Sequence, residues 1–69
     1  MRYSVNYFGP FFVDDREGVN THYFCLFEAA RDLLYTLVQI GFEDAYLKDE
    51  VYQCSLYWDK VTGEFYWEG

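Results

Sequence analysis

Paired carboxylates, one histidine and two cysteines are the groups in this 69-residue chain whose types and spacing could do chemistry. Glu28 and Asp32 stand four residues apart, which on one helix face brings their carboxylates to about 5–6 Å. Glu64 and Glu68 fall on one side of an extended strand with Tyr66 between them, and residues two apart in a strand lie roughly 6.6 Å from each other. Two carboxylates can serve as acid and base of a glycosidase only when they flank a sugar cleft, and a chain this short cannot enclose one. His22 would need a nucleophile or substrate within reach and a group to orient it. It falls instead beside Thr21, in the first turn of an expected helix, where the dipole disfavours its charged form. Cys25 near that helix start would gain thiolate character, but Glu28 three residues on opposes it. Cys54 reads as a small core hydrophobe. In "DDREG" an EF-hand loop fails at its third ligand when counted from Asp14, where Arg16 stands, and at Val19 when counted from Asp15. No glycine-rich phosphate loop is present. Catalysis, a cofactor and a metal are therefore not expected.

The balance of charge says more. Twelve acids against five bases give a net charge of −7. Such a field repels nucleic acid and anionic lipid, so neither is expected as a direct partner, and it attracts basic surfaces. Solubility is the plainer use of the same charge. Two cysteines make no disulfide framework and show no paired metal-ligand spacing. The opening "MRYSVNYFGPFFVDD" has no apolar run that suits a signal peptide, and no stretch reaches the ~20 apolar residues that span a bilayer. The expectation is a soluble cytoplasmic protein in a reducing compartment.

The elements that must position these groups are legible from periodicity. One domain over residues 1–69 is expected, its small core supplied by rings, which make up 25% of the chain; each buries roughly 150–250 Å² when packed. "RYSVNYF" alternates, with Tyr3, Val5 and Tyr7 on one face, and reads as a strand that Gly9-Pro10 ends. "FFV" reads as a short extended piece and "DDREGVN" as a polar loop pivoting on Gly18. From Thr21 to Ile40 the pattern is helical, with Asn20 or Thr21 as N-cap and Gly41 as C-terminal glycine. Tyr23, Leu26, Phe27, Ala30, Leu33, Leu34, Leu37 and Val38 form the apolar stripe, and Cys25, Glu28, Asp32, Thr36 and Gln39 the polar side. "FEDAYLKDE" suits a loop or a single helical turn. "VYQCSLYW" and "EFYWE" form a hairpin around "DKVTG". The register that pairs Trp58 with Phe65 and Leu56 with Trp67 collects Tyr52, Cys54, Leu56, Trp58, Phe65 and Trp67 on one face. It also sets Asp59 opposite Glu64, an unfavourable like-charge pair. The expected fold is α+β in two layers: one amphipathic helix on a mostly antiparallel, three-stranded sheet in the order β-α-β-β.

A sheet covered on one side leaves the other open. Tyr57 and Tyr66 project there beside Asp59, Glu64 and Glu68. Cross-strand packing is one use of such rings; a binding face or a dimer seam is another. Asp14, Asp15 and Glu17 share one loop, and Glu43, Asp44, Asp49 and Glu50 flank Lys48 in a second. Carboxylates spaced by several ångströms on a rigid surface can occupy a groove built for a phosphate backbone. In size, acidity and compact mixed architecture the whole chain resembles small phage-encoded anti-CRISPR proteins of the DNA-mimic kind. The residues that carry this are Asp14, Asp15, Glu17, Glu28, Asp32, Glu43, Asp44, Glu64 and Glu68, as an acidic shell. The resemblance implies a partner that is a basic nucleic-acid-binding protein, such as a CRISPR effector subunit, whose DNA-facing or PAM-reading surface is blocked inside the bacterial host cell. The expected contact set adds Tyr57, Asp59 and Tyr66 to the shell. The second reading is a protein–protein or homo-oligomeric structural module that uses the tyrosine face, with a monomer expected ahead of a dimer.

Overall fold

The structure, a computed structural model, describes residues 1–10 and 17–69. Among the described residues five strands and one helix run in the order β1 (Tyr3–Pro10), β2 (Glu17–Phe24), α1 (Phe27–Gln39), β3 (Tyr46–Asp49), β4 (Cys54–Asp59) and β5 (Glu64–Glu68). The fold is a small α+β domain with the helix packed on a five-stranded antiparallel sheet of order β2-β1-β3-β4-β5. The sheet therefore has two strands beyond the three expected, β2 and β3. β2 and β3 both run antiparallel to β1 and flank it. They are thus parallel to one another, and α1 is the crossover between them, the arrangement of a split βαβ unit.

Both corrections have a physical reason. The helix begins at Phe27, not Thr21, because residues 17–24 pair along the whole of β1. In β2 the usual pattern is inverted. Asn20 is buried and His22 half-buried on the helix side, while Val19 and Tyr23 stand 63% and 60% exposed on the other. Tyr23 therefore mimicked a helical stripe residue, and Gly18, read as a loop pivot, lies inside the strand. The Asn20 amide donates to the Gly9 and Gly18 carbonyls at 3.2 and 3.4 Å, which satisfies a polar group placed inward. His22 is no helix-cap residue either: its ring stacks on Tyr7 at 6.0 Å. β3 is only four residues long and carries Lys48 and Asp49, so its alternation was too short to read. Yet it is central, with Leu47 fully buried between Val5 and Leu56. The piece "FFV" and the Asp14–Arg16 part of the polar loop lie outside the described residues.

The expected stripe holds within the true helix. Ala30, Leu34, Leu37 and Val38 are buried, and Phe27 and Leu33 pack at the margin. They meet Tyr3, Val5, Tyr7, Leu47 and Leu56 from the sheet. Each fully buried aliphatic side chain, Leu34, Leu47 and Val5, contributes roughly 1.5–3 kcal/mol. Leu26 occupies the N-cap with no side-chain hydrogen bond, so neither Asn20 nor Thr21 caps the helix. The C-terminus closes as expected: Gly41 takes φ +115, its N–H donates to the Val38 carbonyl at 3.2 Å and that of Phe42 to Leu37 at 2.9 Å. That paired bonding is a Schellman motif and requires the left-handed glycine. One 13-residue helix, about 20 Å long, covers β1 to β3, and rings extend its contact to β5. Phe27 stacks on Trp67 at 5.9 Å, and Tyr35 meets Phe65 at 6.4 Å. Among the described residues no element packs on the opposite face of the sheet.

Candidate functional site

The hairpin that carries the open face has the expected register: Trp58 pairs with Phe65, Leu56 with Trp67 and Asp59 with Glu64. Its turn is held by Asp59. The Oδ1 atom accepts the N–H groups of Val61 and Thr62 at 2.9 and 3.4 Å, the Asp59 carbonyl accepts that of Gly63 at 2.8 Å, and Gly63 sits at φ +72. Tyr52 departs from the expected buried face; it lies in the turn before β4, 73% exposed.

With this register, Tyr57 and Tyr66 oppose each other on the open face, and β3 adds Tyr46 on the far side of Tyr57. The three rings form a ladder, with centroids 5.5 Å apart for Tyr46–Tyr57 and 5.8 Å for Tyr57–Tyr66, both inclined by 30°. The row continues across the sheet through Asn6 and Thr21, whose hydroxyl donates to Asn6 Oδ1 at 2.8 Å. Asp59 and Glu64 border the rings at one end; Glu68, two residues beyond Tyr66 along β5, borders them at the other. On the Glu68 side Lys48 shares the face but pairs with Glu50 at 3.8 Å.

Every described basic side chain is engaged: Arg2 by Asp49, Arg31 by Asp32, Lys48 by Glu50 and Lys60 by Glu43. Among the described residues Glu17, Glu28, Asp44, Asp59, Glu64 and Glu68 form no ion pair. The expected acidic shell is not one surface. Glu28 and Asp32 lie on the exposed side of α1, on the other face of the sheet. Glu17 begins β2, four strands from β5, or about 19 Å at ~4.8 Å per strand. Asp14 and Asp15 lie outside the described residues. What the fold does gather is the hairpin end. Glu43, Asp44, Trp58, Asp59, Lys60, Val61 and Tyr66 line a cleft of about 430 Å³.

Sequence reasoning named neither Tyr46 as a ring of the ladder nor Arg2 as the partner of Asp49, and it read Lys48 and Asp49 as loop residues rather than as part of β3. Arg2 Nε and Nη2 donate to Asp49 Oδ1 and Oδ2 at 3.1 and 3.0 Å, and the guanidinium carbon sits 5.0 Å from the ring centres of both Tyr3 and Tyr52. The hydrogen bond from Arg2 holds the Asp49 carboxyl below its ordinary range; the Val51 and Tyr52 N–H groups add to the effect and partial burial opposes it. A sequence signal for this site existed. "DEVYQ" and "DKVTG" stand ten residues apart with Asp and Val in the same places, which marks two similar turns.

Among the described residues, no group of three or more His, Cys, Asp or Glu side chains is placed to hold a metal ion, and no helix is long and apolar enough to cross a membrane. Cys25 and Cys54 are free thiols, the first exposed and just ahead of the helix, the second half-buried in β4.

Fold and surface together define a small acidic α+β protein with a ring-bearing sheet face opposite its helix. No protein-family model, curated protein or solved structure matches the chain.

Proposed function

We propose that this protein is a non-enzymatic inhibitor that docks its open sheet face on a basic, nucleic-acid-binding protein surface, with a CRISPR effector as the kind of partner to test first. One observation carries this reading. Asp59 and Glu64 oppose each other directly on the open face beside Asp44, and the nearest base, Lys60, is turned to Glu43. Like charges in that position disfavour folding, so their use lies outside the fold, in attraction to a cationic groove. Glu68 extends the same charge along β5, and Tyr57 and Tyr66 supply rings that keep contact area once water is expelled. Of the expected contact set, Tyr57, Asp59, Glu64, Tyr66 and Glu68 share this face and Asp44 lines the cleft beside it; Glu43 is spent in part on Lys60, Glu28 and Asp32 lie on the helix side, and Glu17 shares the open side but stands at the far edge in β2.

A homo-oligomeric module is the weaker alternative. Joining two chains by the β5 edge would bring Glu64 and Glu68 of both copies together, each chain carrying −7. Light scattering across concentrations is expected to give a monomer.

Calorimetric binding to a purified CRISPR effector, and to a basic DNA-binding protein as a second target, tests the proposal. Affinity should fall steeply as salt is raised, because exposed charges are screened beyond a Debye length of ~8–10 Å, and DNA should compete. No binding to either target, or binding that salt and DNA leave unchanged, overturns it.

A further inference from the structure

We infer that the free edge of β5 takes up an extended segment of the partner as a sixth strand, one whose side chains alternate between basic and apolar; this deepens the docking reading above and rests on its basic partner. β5 is outermost in the sheet, so among the described residues one of its two backbone edges meets no other strand. Such an edge is a template for one more strand, and main-chain hydrogen bonds supply affinity when a peptide adds there. Alternation along β5 decides what the added strand must carry. Glu64, Tyr66 and Glu68 point to the open side, in line with Asp59, Tyr57 and Ser55 of β4. Phe65 and Trp67 point to the helix side, in line with Trp58 and Leu56.

The two sides of this edge suit different side chains. On the helix side α1 packs over β1, β2 and β3, and between it and β5 lies a cleft of about 350 Å³ lined by Arg31, Asp32, Tyr35 and Phe65. Arg31 and Asp32 pair with each other at 3.7 Å. Tyr35 and Trp67 are half-exposed and Phe65 is half-buried. Apolar side chains of a sixth strand would cover these rings and carry the core out to the edge. On the open side Glu64 and Glu68 are exposed, and among the described residues neither forms an ion pair. Lysine or arginine directly opposite them makes favourable cross-strand pairs. β2, the other outermost strand, lacks both features: it lies under α1 and carries a single acid, Glu17. A second copy of this chain is the wrong occupant, because its β5 would set acids against acids. The same carboxylates thus bar self-pairing and admit a cationic strand.

A capped seven-residue peptide of alternating lysine and valine is titrated into isotope-labelled protein at low salt, beside a peptide of the same composition with its lysines and valines in separate blocks. The alternating peptide should bind about tenfold tighter, with the largest amide shifts and slowed amide exchange in β5. Two further peptides carry backbone N-methyl groups on alternate residues, one on its lysines and the other on its valines. Only one of those sets of N–H groups faces β5, so one methylated peptide should lose binding and the other keep it. Glu68→Lys should abolish the preference for the alternating peptide, while Glu28→Lys, the same change of charge on the helix, should preserve it. No binding of the alternating peptide, equal affinities for the alternating and block peptides, equal behaviour of the two methylated ones, or shifts that leave the β5 amides unmoved overturn strand addition. The effector titration is run in parallel, so salt-sensitive binding there would leave the docking reading standing after such a failure.

Discussion

Arg2 and Asp49, separated by 47 positions in the chain, meet in a two-pronged ion pair at 3.1 and 3.0 Å that ties the start of β1 to the end of β3. The contact is geometric as well as electrostatic. Asp49 is 4% exposed, it also anchors the turn to β4, and the Glu50 N–H donates to the Arg2 carbonyl at 2.8 Å. Removing the arginine leaves an enclosed carboxylate without its partner, which costs more than losing an exposed pair such as Arg31–Asp32. Arg2→Met is therefore expected to lower the thermal midpoint clearly and Arg31→Met hardly at all, as read by circular dichroism.

The same pair sets a pH dependence. Asp49 titrates below its ordinary range in the folded protein, so the unfolded chain binds that proton first as pH falls. Its stabilising contribution is complete above the unfolded aspartate value of ~3.9 and is lost as pH drops through the lower folded value. Urea midpoints measured from neutral pH down to about pH 2 should therefore fall on the acid side, and Asp49→Asn should flatten that part of the profile. A variant with the wild-type acid slope would remove Asp49 from the account.

Leu47 tests whether β3 is the keystone of the sheet. It is fully buried and stands between Val5 and Leu56. Leu47→Ala should cost about 2–5 kcal/mol, a large share of the roughly 5–15 kcal/mol available to a domain. Val61, 89% exposed at the hairpin tip, should tolerate alanine within about 0.5 kcal/mol. Chemical denaturation of the two variants side by side distinguishes a central β3 from a peripheral one.

The paired turns predict opposite responses to adding and to removing a side chain at one backbone position. Gly63 at φ +72 and Gln53 at φ 55 occupy the same left-handed position, one with a residue suited to it and one without. A side chain there costs about 1–2 kcal/mol. Gly63→Ala should destabilise by about that amount, whereas Gln53→Gly should raise the unfolding midpoint, even though it gives up the 2.6 Å bond from the Gln53 amide to the Glu50 carbonyl. That bond is exposed and exchanges readily with water.

Those turns also explain what the sequence could and could not disclose. The β4–β5 register was readable because Asp59, Gly63 and the alternation of rings agree with one another. The Gly41 stop and the buried stripe from Ala30 to Val38 were readable for the same reason: local preference and burial coincide. β2 was not, because Asn20 and His22 point inward and Val19 and Tyr23 outward, the reverse of the usual solvent preference. β3 was hidden by its length, although the Asp-x-Val pattern shared by residues 49–51 and 59–61 announced its turn. Missing β3 meant missing Tyr46, and with it the ladder that makes the open face more than a charged surface. The acidic set read from composition is spread over both layers, since composition cannot say that α1 carries Glu28 and Asp32 to the other side.

Glu64 is where stability and binding should part. It opposes Asp59 directly across β4 and β5, and no lysine or arginine among the described residues pairs with either. Glu64→Gln removes the repulsion and keeps the size and β5 geometry, so the protein should gain about 0.5 kcal/mol of stability. The same change removes one charge from the docking face, so affinity for a basic partner and its dependence on salt should both fall. Glu28→Gln lowers the net charge equally but acts on the far layer, and should leave binding near the wild-type value. Denaturation and calorimetry on the two variants give four numbers. Stabilisation with weakened binding for Glu64→Gln alone supports an open face shaped for a cationic partner. Equal losses of affinity in both variants would mean that net charge, not this face, attracts it.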